Sequence, residues 1–129
     1  ETLTDYGTRF AMAQVYIPEI KAGDKRILLI DGEPVPPALA RIPSDEDNRG
    51  NMVAGAAAIG QAMSRRDQEL CGAVGAALRE AGVLFAGIDV IGDYLTEVNV
   101  TSPTGIRELD KQFGLNIAGR MFDAIEAKL

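Results

Sequence analysis

The stretch GIDVIGDYLTEVNV, residues 87–100, decides the fold prediction for this chain. Two apolar runs, each interrupted by polar residues, flank Gly92-Asp93, and this dipeptide favours a tight turn between strands. The pattern therefore predicts two antiparallel strands, over residues 84–91 and 94–100.

The second of these strands carries side chains with hard oxygen donors. Glu97 and Asn99 are two residues apart, so on a strand they share one face. Carboxylate and amide oxygens suit Mg²⁺, which takes few protein carboxylates and completes its shell with phosphate and water. The alternative interpretation is a solvent-facing strand edge with ordinary polar residues.

The register of the hairpin decides whether Asp89 joins this pair. A two-residue turn pairs Ile91 with Tyr94 and puts Asp89 on the face opposite to Glu97. A three-residue loop or one bulge instead sets Asp89 directly across from Glu97. Facing carboxylates repel each other, so the second register needs a cation between them.

Around this hairpin, the remaining pattern predicts an α+β fold with a mainly antiparallel sheet flanked by helices. Asp31-Gly32 is a second hairpin signal, and Pro36-Pro37 predicts an edge strand or a bulge. Residues 43–63 are predicted to form one long mobile loop. The other predicted strands are 10–17, 26–30 and 35–42, and the predicted helices are 66–81, 106–112 and 117–129.

Helix boundaries and buried faces follow from the same pattern. Ser64 or Asp67 is predicted to cap the first helix, and Gly82 to end it. Helical spacing predicts one buried stripe on the first helix and another on the last. Their members are Leu70, Val74, Ala77 and Leu78 in the first, and Ile117, Met121, Ile125 and Leu129 in the second.

The composition excludes several classes of protein. Lys and Arg number 13 against 19 Asp and Glu, and this net charge of −6 argues against non-specific nucleic-acid binding. The absence of histidine excludes a Ser-His-Asp triad and a His-ligated zinc site. No segment approaches the roughly 18 apolar residues of a membrane-spanning helix. The single Cys71 predicts a buried structural thiol and a reducing compartment.

Two further groups of residues could bind an anion. Residues 101–107 lead from the acidic strand into a helix, and Ser102 and Thr104 are residues of the kind that cap helix N-termini. Plain helix capping is the alternative. Arg26, Arg41 and Arg49 carry guanidinium groups, which suit carboxylate and phosphate, and scattered surface arginines are the alternative there.

Taken together, these motifs resemble a known family. LTEVNVTSPTGIRE, residues 95–108, closely resembles the carboxyl-terminal signature of bacterial glutathione synthetase, an ATP-grasp ligase. Residues 25–36, 39–43, 49–51 and 87–93 resemble the family too. The resemblance implies that residues 1–129 form the carboxyl-terminal ATP-grasp subdomain, and that an amino-terminal substrate domain and a central subdomain precede Glu1.

The resemblance also implies a reaction. ATP phosphorylates the cysteinyl carboxylate of γ-glutamylcysteine, and the amine of glycine attacks the acyl phosphate, giving glutathione, ADP and phosphate. It implies Mg²⁺ or Mn²⁺, a cytoplasmic location and a homo-oligomer of the full-length protein, with no membrane or nucleic-acid partner. Another ATP-grasp carboxylate-amine ligase is one alternative. A non-catalytic fragment that binds Mg-nucleotide weakly is the other, and the isolated fragment is expected to be inactive.

The family's site residues carry over by position. The resemblance assigns the metal ligands to Asp89, Glu97 and Asn99. It assigns adenine contacts to Gln14, Tyr16 and Ile17, the ribose contact to Asp24, catalytic roles to Arg26 and Arg49, and peptide-substrate contacts to Arg41 and Ser102. One departure is NMVAGAAA at residues 51–58, where the family reads Asn-Leu-Ala-Ala-Gly-Gly-Arg-Gly. The lost glycines stiffen the backbone, so altered loop closure is expected.

Overall fold

A five-stranded antiparallel sheet is the frame of the computed structural model, which describes residues 2–42 and 57–129. The strands lie side by side in the order β3-β2-β1-β4-β5. They are β1 (Asp24–Ile30), β2 (Glu33–Ile42), β3 (Ala57–Gln61), β4 (Phe85–Ile91) and β5 (Tyr94–Asn99). The helices are α1 (Arg65–Glu80), α2 (Ile106–Phe113) and α3 (Ile117–Glu126), and a 3₁₀ turn spans Pro18–Ala22. The α+β prediction is confirmed.

Two tight turns set the order of the central strands. Asp31 and Gly32 join β1 to β2 with φ angles of 50° and 73°, the positive values that a two-residue hairpin of type I′ requires. Gly92, with φ 56°, begins the turn between β4 and β5. Both hairpin signals in the sequence are therefore confirmed.

Helices cover the two faces of the sheet and divide the core in two. On one face α1 packs over alternate residues of β1 and β4, and on the other α2 and α3 pack over the intervening residues. The first core contains Ile27, Leu29, Ala38, Cys71, Leu78, Ala86, Ile88 and Val90; the second contains Leu28, Ile30, Val35, Leu39, Leu109 and Ile117. No helix in the described ranges is long and apolar enough to cross a membrane.

The start of α1 is fixed to the central strand by a buried charge. The Ser64 hydroxyl accepts from the Asp67 amide, and the Asp67 carboxylate accepts from the Ser64 amide, so both candidate capping residues take part in a capping box. Lys25 Nζ of β1 donates to the same carboxylate at 2.6 and 2.8 Å. One turn further along, Cys71 is buried as predicted, and burial together with the Asp67 charge raises the pKa of its thiol to about 11.

Two elements differ from the sequence prediction. Residues 10–17 do not form the predicted strand, because neither edge of the described sheet reaches them, and an extended segment without a neighbour has no ladder of hydrogen bonds. The predicted loop 43–63 contains strand β3, which pairs with residues 38–42 of β2. Residues 43–56 of that loop lie outside the described residues.

Details of packing correct two further predictions and confirm a third. On α1, Cys71 and Gly75 are buried while Ala77 is exposed. The buried face is therefore rotated about the helix axis relative to the predicted stripe. On the last helix Ile117 is buried but Leu129 is fully exposed, because α3 ends at Glu126. Pro36-Pro37 interrupts the β1–β2 register as a bulge, which confirms that prediction, and β3 pairs only with residues 38–42 of β2.

Gly75 gives a test of how closely α1 packs on the β1–β2 turn. A Cβ atom there would lie 2.0 Å from the carbonyl oxygen of Gly32, whereas a Cβ at Gly72 would meet nothing within 4 Å. We expect Gly75→Ala to lower the free energy of unfolding by about 2 kcal/mol through overpacking. Gly72→Ala should raise it by about 0.5–1 kcal/mol, since alanine is the better helix former. Urea unfolding of the two variants checks this, and equal stability of both would contradict the packing.

Candidate functional site

The sheet face that carries α2 and α3 is apolar at one end and polar at the other. The polar end begins with a row of residues that are direct neighbours across all five strands. The row runs Gly60, Leu39, Arg26, Asp89, Glu97. It places a buried arginine, a buried carboxylate and an exposed carboxylate side by side on the same face.

A bulge in the β4–β5 hairpin creates this alignment. Ile91 pairs with Tyr94 across a two-residue turn, yet Asp89 pairs with Glu97. The extra residue is Thr96, whose hydroxyl donates to the Asp89 carbonyl at 3.0 Å. The turn and the bulge, which the sequence presents as alternatives, therefore occur together.

Two guanidinium groups converge on the Asp89 carboxylate. Arg26 donates from Nε to Oδ1 at 2.8 Å and from Nη2 to Oδ2 at 2.7 Å. Nη2 of Arg41 lies 2.9 Å from Oδ2. Arg41 also forms a two-pronged pair with Asp24, through Nε and Nη2. The charge of the Asp89 carboxylate is thus balanced in this structure by the protein's own arginines.

These four groups are buried and paired, and their formal charges cancel. Asp89 is only 4% exposed. Burial alone would raise the pKa of its carboxyl, but the hydrogen bond from Arg26 and the charges of both arginines hold that pKa below its usual range. Burial likewise opposes the charge on Arg41, and its bonds to Asp24 and Asp89 outweigh that cost, so its pKa rises. Asp89 and Arg41 are therefore both ionised at neutral pH.

The predicted metal ligands lie together beside this cluster. Asn99 is opposite Gly87 and two residues beyond Glu97, so both side chains share the face of Asp89. The Asn99 side-chain oxygen accepts from the Thr101 amide at 3.1 Å. Within residues 2–42 and 57–129, no three carboxylate, imidazole or thiol side chains form a metal cluster. The candidate set of two carboxylates and one amide fits Mg²⁺, which needs few protein donors.

The candidate adenine residues line a groove at the end of the same hairpin. Gln14, Tyr16 and Ile17 face Ile91 and residues 94–96 across a cavity of about 840 Å³. That volume lies within the range typical of small-molecule sites. Asp24 does not line the groove, because its carboxylate is buried against Arg41.

The segment after β5 crosses over the polar face. Helix α2 begins at Gly105 without any side-chain cap, so neither Ser102 nor Thr104 caps it and the plain capping alternative is wrong. Ser102 is exposed, with a φ of 48°. The Thr104 hydroxyl instead accepts from Nη1 of Arg26 at 2.8 Å, a contact that sequence reasoning missed. Arg49 lies outside the described residues.

The antiparallel sheet flanked by three helices is that of an ATP-grasp subdomain. The chain matches the family model described as prokaryotic glutathione synthetase, ATP-grasp domain, over residues 1–114. That match covers most of the chain, so the chain belongs to the prokaryotic glutathione synthetase family.

Curated relatives named glutathione synthetase agree with this assignment. The chain is 61% identical over 127 residues to the protein of Xanthomonas campestris, covering 98% of this chain and 40% of that protein. It is 58% identical to the Pseudomonas aeruginosa protein and 52% identical to the Escherichia coli O157:H7 protein, each match covering 100% of this chain and 41% of the relative. The chain thus spans about two-fifths of the length of these relatives.

Replacing Asp89 tests the charge cluster through the pH dependence of stability. The pKa of Asp89 is lower in the folded protein than in the unfolded chain. Its contribution to the free energy of unfolding is therefore complete above about pH 4 and is lost as the pH falls through the folded pKa. We expect Asp89→Asn to cost about 3 kcal/mol at pH 7, because Arg26 loses its carboxylate partner and Arg41 keeps only Asp24.

Urea unfolding at pH 7 and near pH 3 measures this effect. The gap in unfolding free energy between the parent and Asp89→Asn should narrow in acid. Asp93→Asn, at an exposed turn position of the same hairpin, is the matched control and should stay within about 0.5 kcal/mol of the parent. A gap of the same size at both pH values would contradict the ionised cluster.

Proposed function

We propose that the protein carrying this chain joins γ-glutamylcysteine to glycine at the expense of ATP, giving glutathione, ADP and phosphate. In the first step the cysteinyl carboxylate attacks the γ-phosphorus of ATP and ADP leaves. In the second the glycine amine attacks the acyl phosphate carbon, loses a proton and expels phosphate. Family membership and identities of 52–61% over nearly the whole chain support this proposal.

The observation that carries the proposal is the convergence of Arg26 and Arg41 on Asp89, directly across from Glu97. Among the described residues, Asp89 and Thr104 engage three of the five N–H groups of Arg26, which leaves one on each terminal nitrogen for an anion. Nη1 of Arg41 is not among the atoms that bind Asp24 or Asp89. Donors held in place by buried carboxylates suit a reaction that depends on positioning and charge stabilisation.

We assign Arg26 to the acyl phosphate and Arg41 to the carboxylate-bearing peptide substrate. Both side chains are anchored by carboxylates behind them, so they stay ordered while their outer N–H groups bind substrate. Arg49 as a second catalytic cation and Ser102 as a peptide contact complete the proposal. Those two assignments rest on the sequence motifs, and Arg49 lies among residues 43–56, which the structure does not describe.

Mg²⁺ or Mn²⁺ is proposed to be held by Glu97 and Asn99, with Asp89 as the third donor. When bound, the ion would neutralise the charge of the ATP phosphates. Both Asp89 oxygens accept from guanidinium groups, so an ion at Asp89 would share that carboxylate with Arg26 and Arg41. Glu97 is exposed and offers its carboxylate at the outer side of the row.

The groove beside the hairpin is the proposed nucleotide site. Gln14, Tyr16 and Ile17 would contact adenine there, next to the hairpin that carries the proposed metal ligands. Asp24 is proposed for the ribose hydroxyls, a contact it would have to make while paired with Arg41. A cytoplasmic homo-oligomer is the proposed form of the complete protein.

ADP release by the complete gene product tests the reaction and the metal ligand together. With Mg-ATP and γ-glutamylcysteine, ADP formation should depend on glycine. We expect Glu97→Gln to lower the glycine-dependent rate by roughly a hundredfold, since a neutral amide binds a divalent cation weakly. Glu69→Gln, an exposed change on α1 at the opposite face of the sheet, should leave the rate within twofold.

Two results would contradict the proposal. No ADP from the folded parent protein would reject glutathione synthesis and favour another carboxylate and amine, or a chain that only binds nucleotide. A Glu97→Gln variant as active as Glu69→Gln would keep the reaction but remove Glu97 from the metal site.

A further inference from the structure

The guanidinium group of Arg26 is held at all three of its nitrogens. Nε and Nη2 form a two-pronged bond with Asp89, and Nη1 donates to the Thr104 hydroxyl at 2.8 Å. A two-pronged bond fixes one edge of the planar group but leaves it free to tilt about that edge. Nη1 is the corner opposite the fixed edge, so the bond to Thr104 is the contact that prevents the tilt.

The backbone on both sides of Thr104 is pressed against the sheet. A Cβ atom at Gly87 would lie 2.8 Å from the ring of Pro103, so Pro103 needs the space above that glycine. Gly105 is buried, and a Cβ there would lie 3.3 Å from Leu39 and 3.8 Å from Arg26. Its φ of 121° is a conformation that side-chain-bearing residues rarely adopt. These two neighbours hold Thr104 at the guanidinium group.

The chemistry of the hydroxyl suits an orienting role. Asp89 already balances one positive charge of the cluster, and a further carboxylate at position 104 would cancel the charge needed for an anion. A hydroxyl accepts the Nη1 proton without bringing a charge of its own. Its lone pair faces Arg26, so the hydroxyl acts on the guanidinium group as an acceptor.

We propose that Thr104 is a positioning residue for Arg26. It fixes the tilt of the guanidinium plane, so that the remaining N–H on Nη1 and the remaining N–H on Nη2 are aimed at the anion that forms in the site. The proposal rests on the role given above to Arg26 at the acyl phosphate. It does not require Thr104 to stabilise the fold, because its side chain is exposed.

Threonine variants of the complete gene product test this role. Thr104→Val keeps the shape of the side chain and removes its hydroxyl, whereas Thr104→Ser keeps the hydroxyl. We expect Thr104→Val to lower the glycine-dependent kcat about tenfold or more, with the KM for ATP changed less than twofold. Thr104→Ser should stay within threefold of the parent. Thr8→Val removes another threonine hydrogen bond, to the Asp5 carbonyl at an exposed site, and should leave kcat unchanged.

An equal loss of kcat in the valine and serine variants would overturn the proposal. A kcat in Thr104→Val equal to that of the parent would overturn it as well. Crystal structures of the parent and Thr104→Val give a second readout that does not depend on turnover. The proposal expects the Arg26 plane to be fixed in the parent and tilted or spread over several positions in the variant. An Arg26 that superimposes in both structures would overturn it. An inactive parent would reject the proposed reaction, and the crystal structures would still decide the role of Thr104.

Discussion

A buried carboxylate shared by two guanidinium groups is the interaction on which the polar half of the sheet depends. Asp89 on β4 binds Arg26 on β1 and Arg41 on β2. Desolvating these charges costs several kcal/mol per ion, and the cost is recovered only when all partners are in place. A slip of one residue in any of these three strands would turn one partner to the other face. The charge cluster therefore fixes the register of the strands as well as the position of the arginines.

The central strand β1 joins this cluster to the packing on the opposite face. Its alternate residues Ile27 and Leu29 pack against α1, while Arg26 points to the polar side. Lys25 faces α1 and binds Asp67, the carboxylate of the capping box. A single strand thus carries ion pairs on both faces, and the helix that supports it is held by its first turn. The proposed site gains rigid positioning from the core of the domain.

Local signals in the sequence predicted the elements that short-range chemistry determines. Asp31-Gly32 and Ser64 specify a hairpin and a helix start through their own backbone geometry, and both are confirmed. Strand β3 was missed because its small residues suit the space under the Phe113 ring, which is a long-range contact. The convergence of the arginines could not be predicted, because it depends on the long-range pairing of β1 with β2 and β4. The alignment of Asp89 with Glu97 depends on a bulge at Thr96 that no local motif marks. The shared face of the candidate ligands Glu97 and Asn99 on β5 could be predicted, because side chains two residues apart on a strand point to the same side.

The coupling between Arg26 and Asp89 tests the central claim most directly. Unfolding free energies of Arg26→Gln, Asp89→Asn and the double variant, measured with the parent in urea at pH 7, form a double-mutant cycle. Asp89→Asn leaves Arg26 without its carboxylate partner, and Arg26→Gln leaves Asp89 with Arg41 alone. If the two residues are coupled, the double variant should lose about 2 kcal/mol less than the sum of the two single losses. Losses that add to within about 0.5 kcal/mol would show that the two residues act independently and would contradict the account.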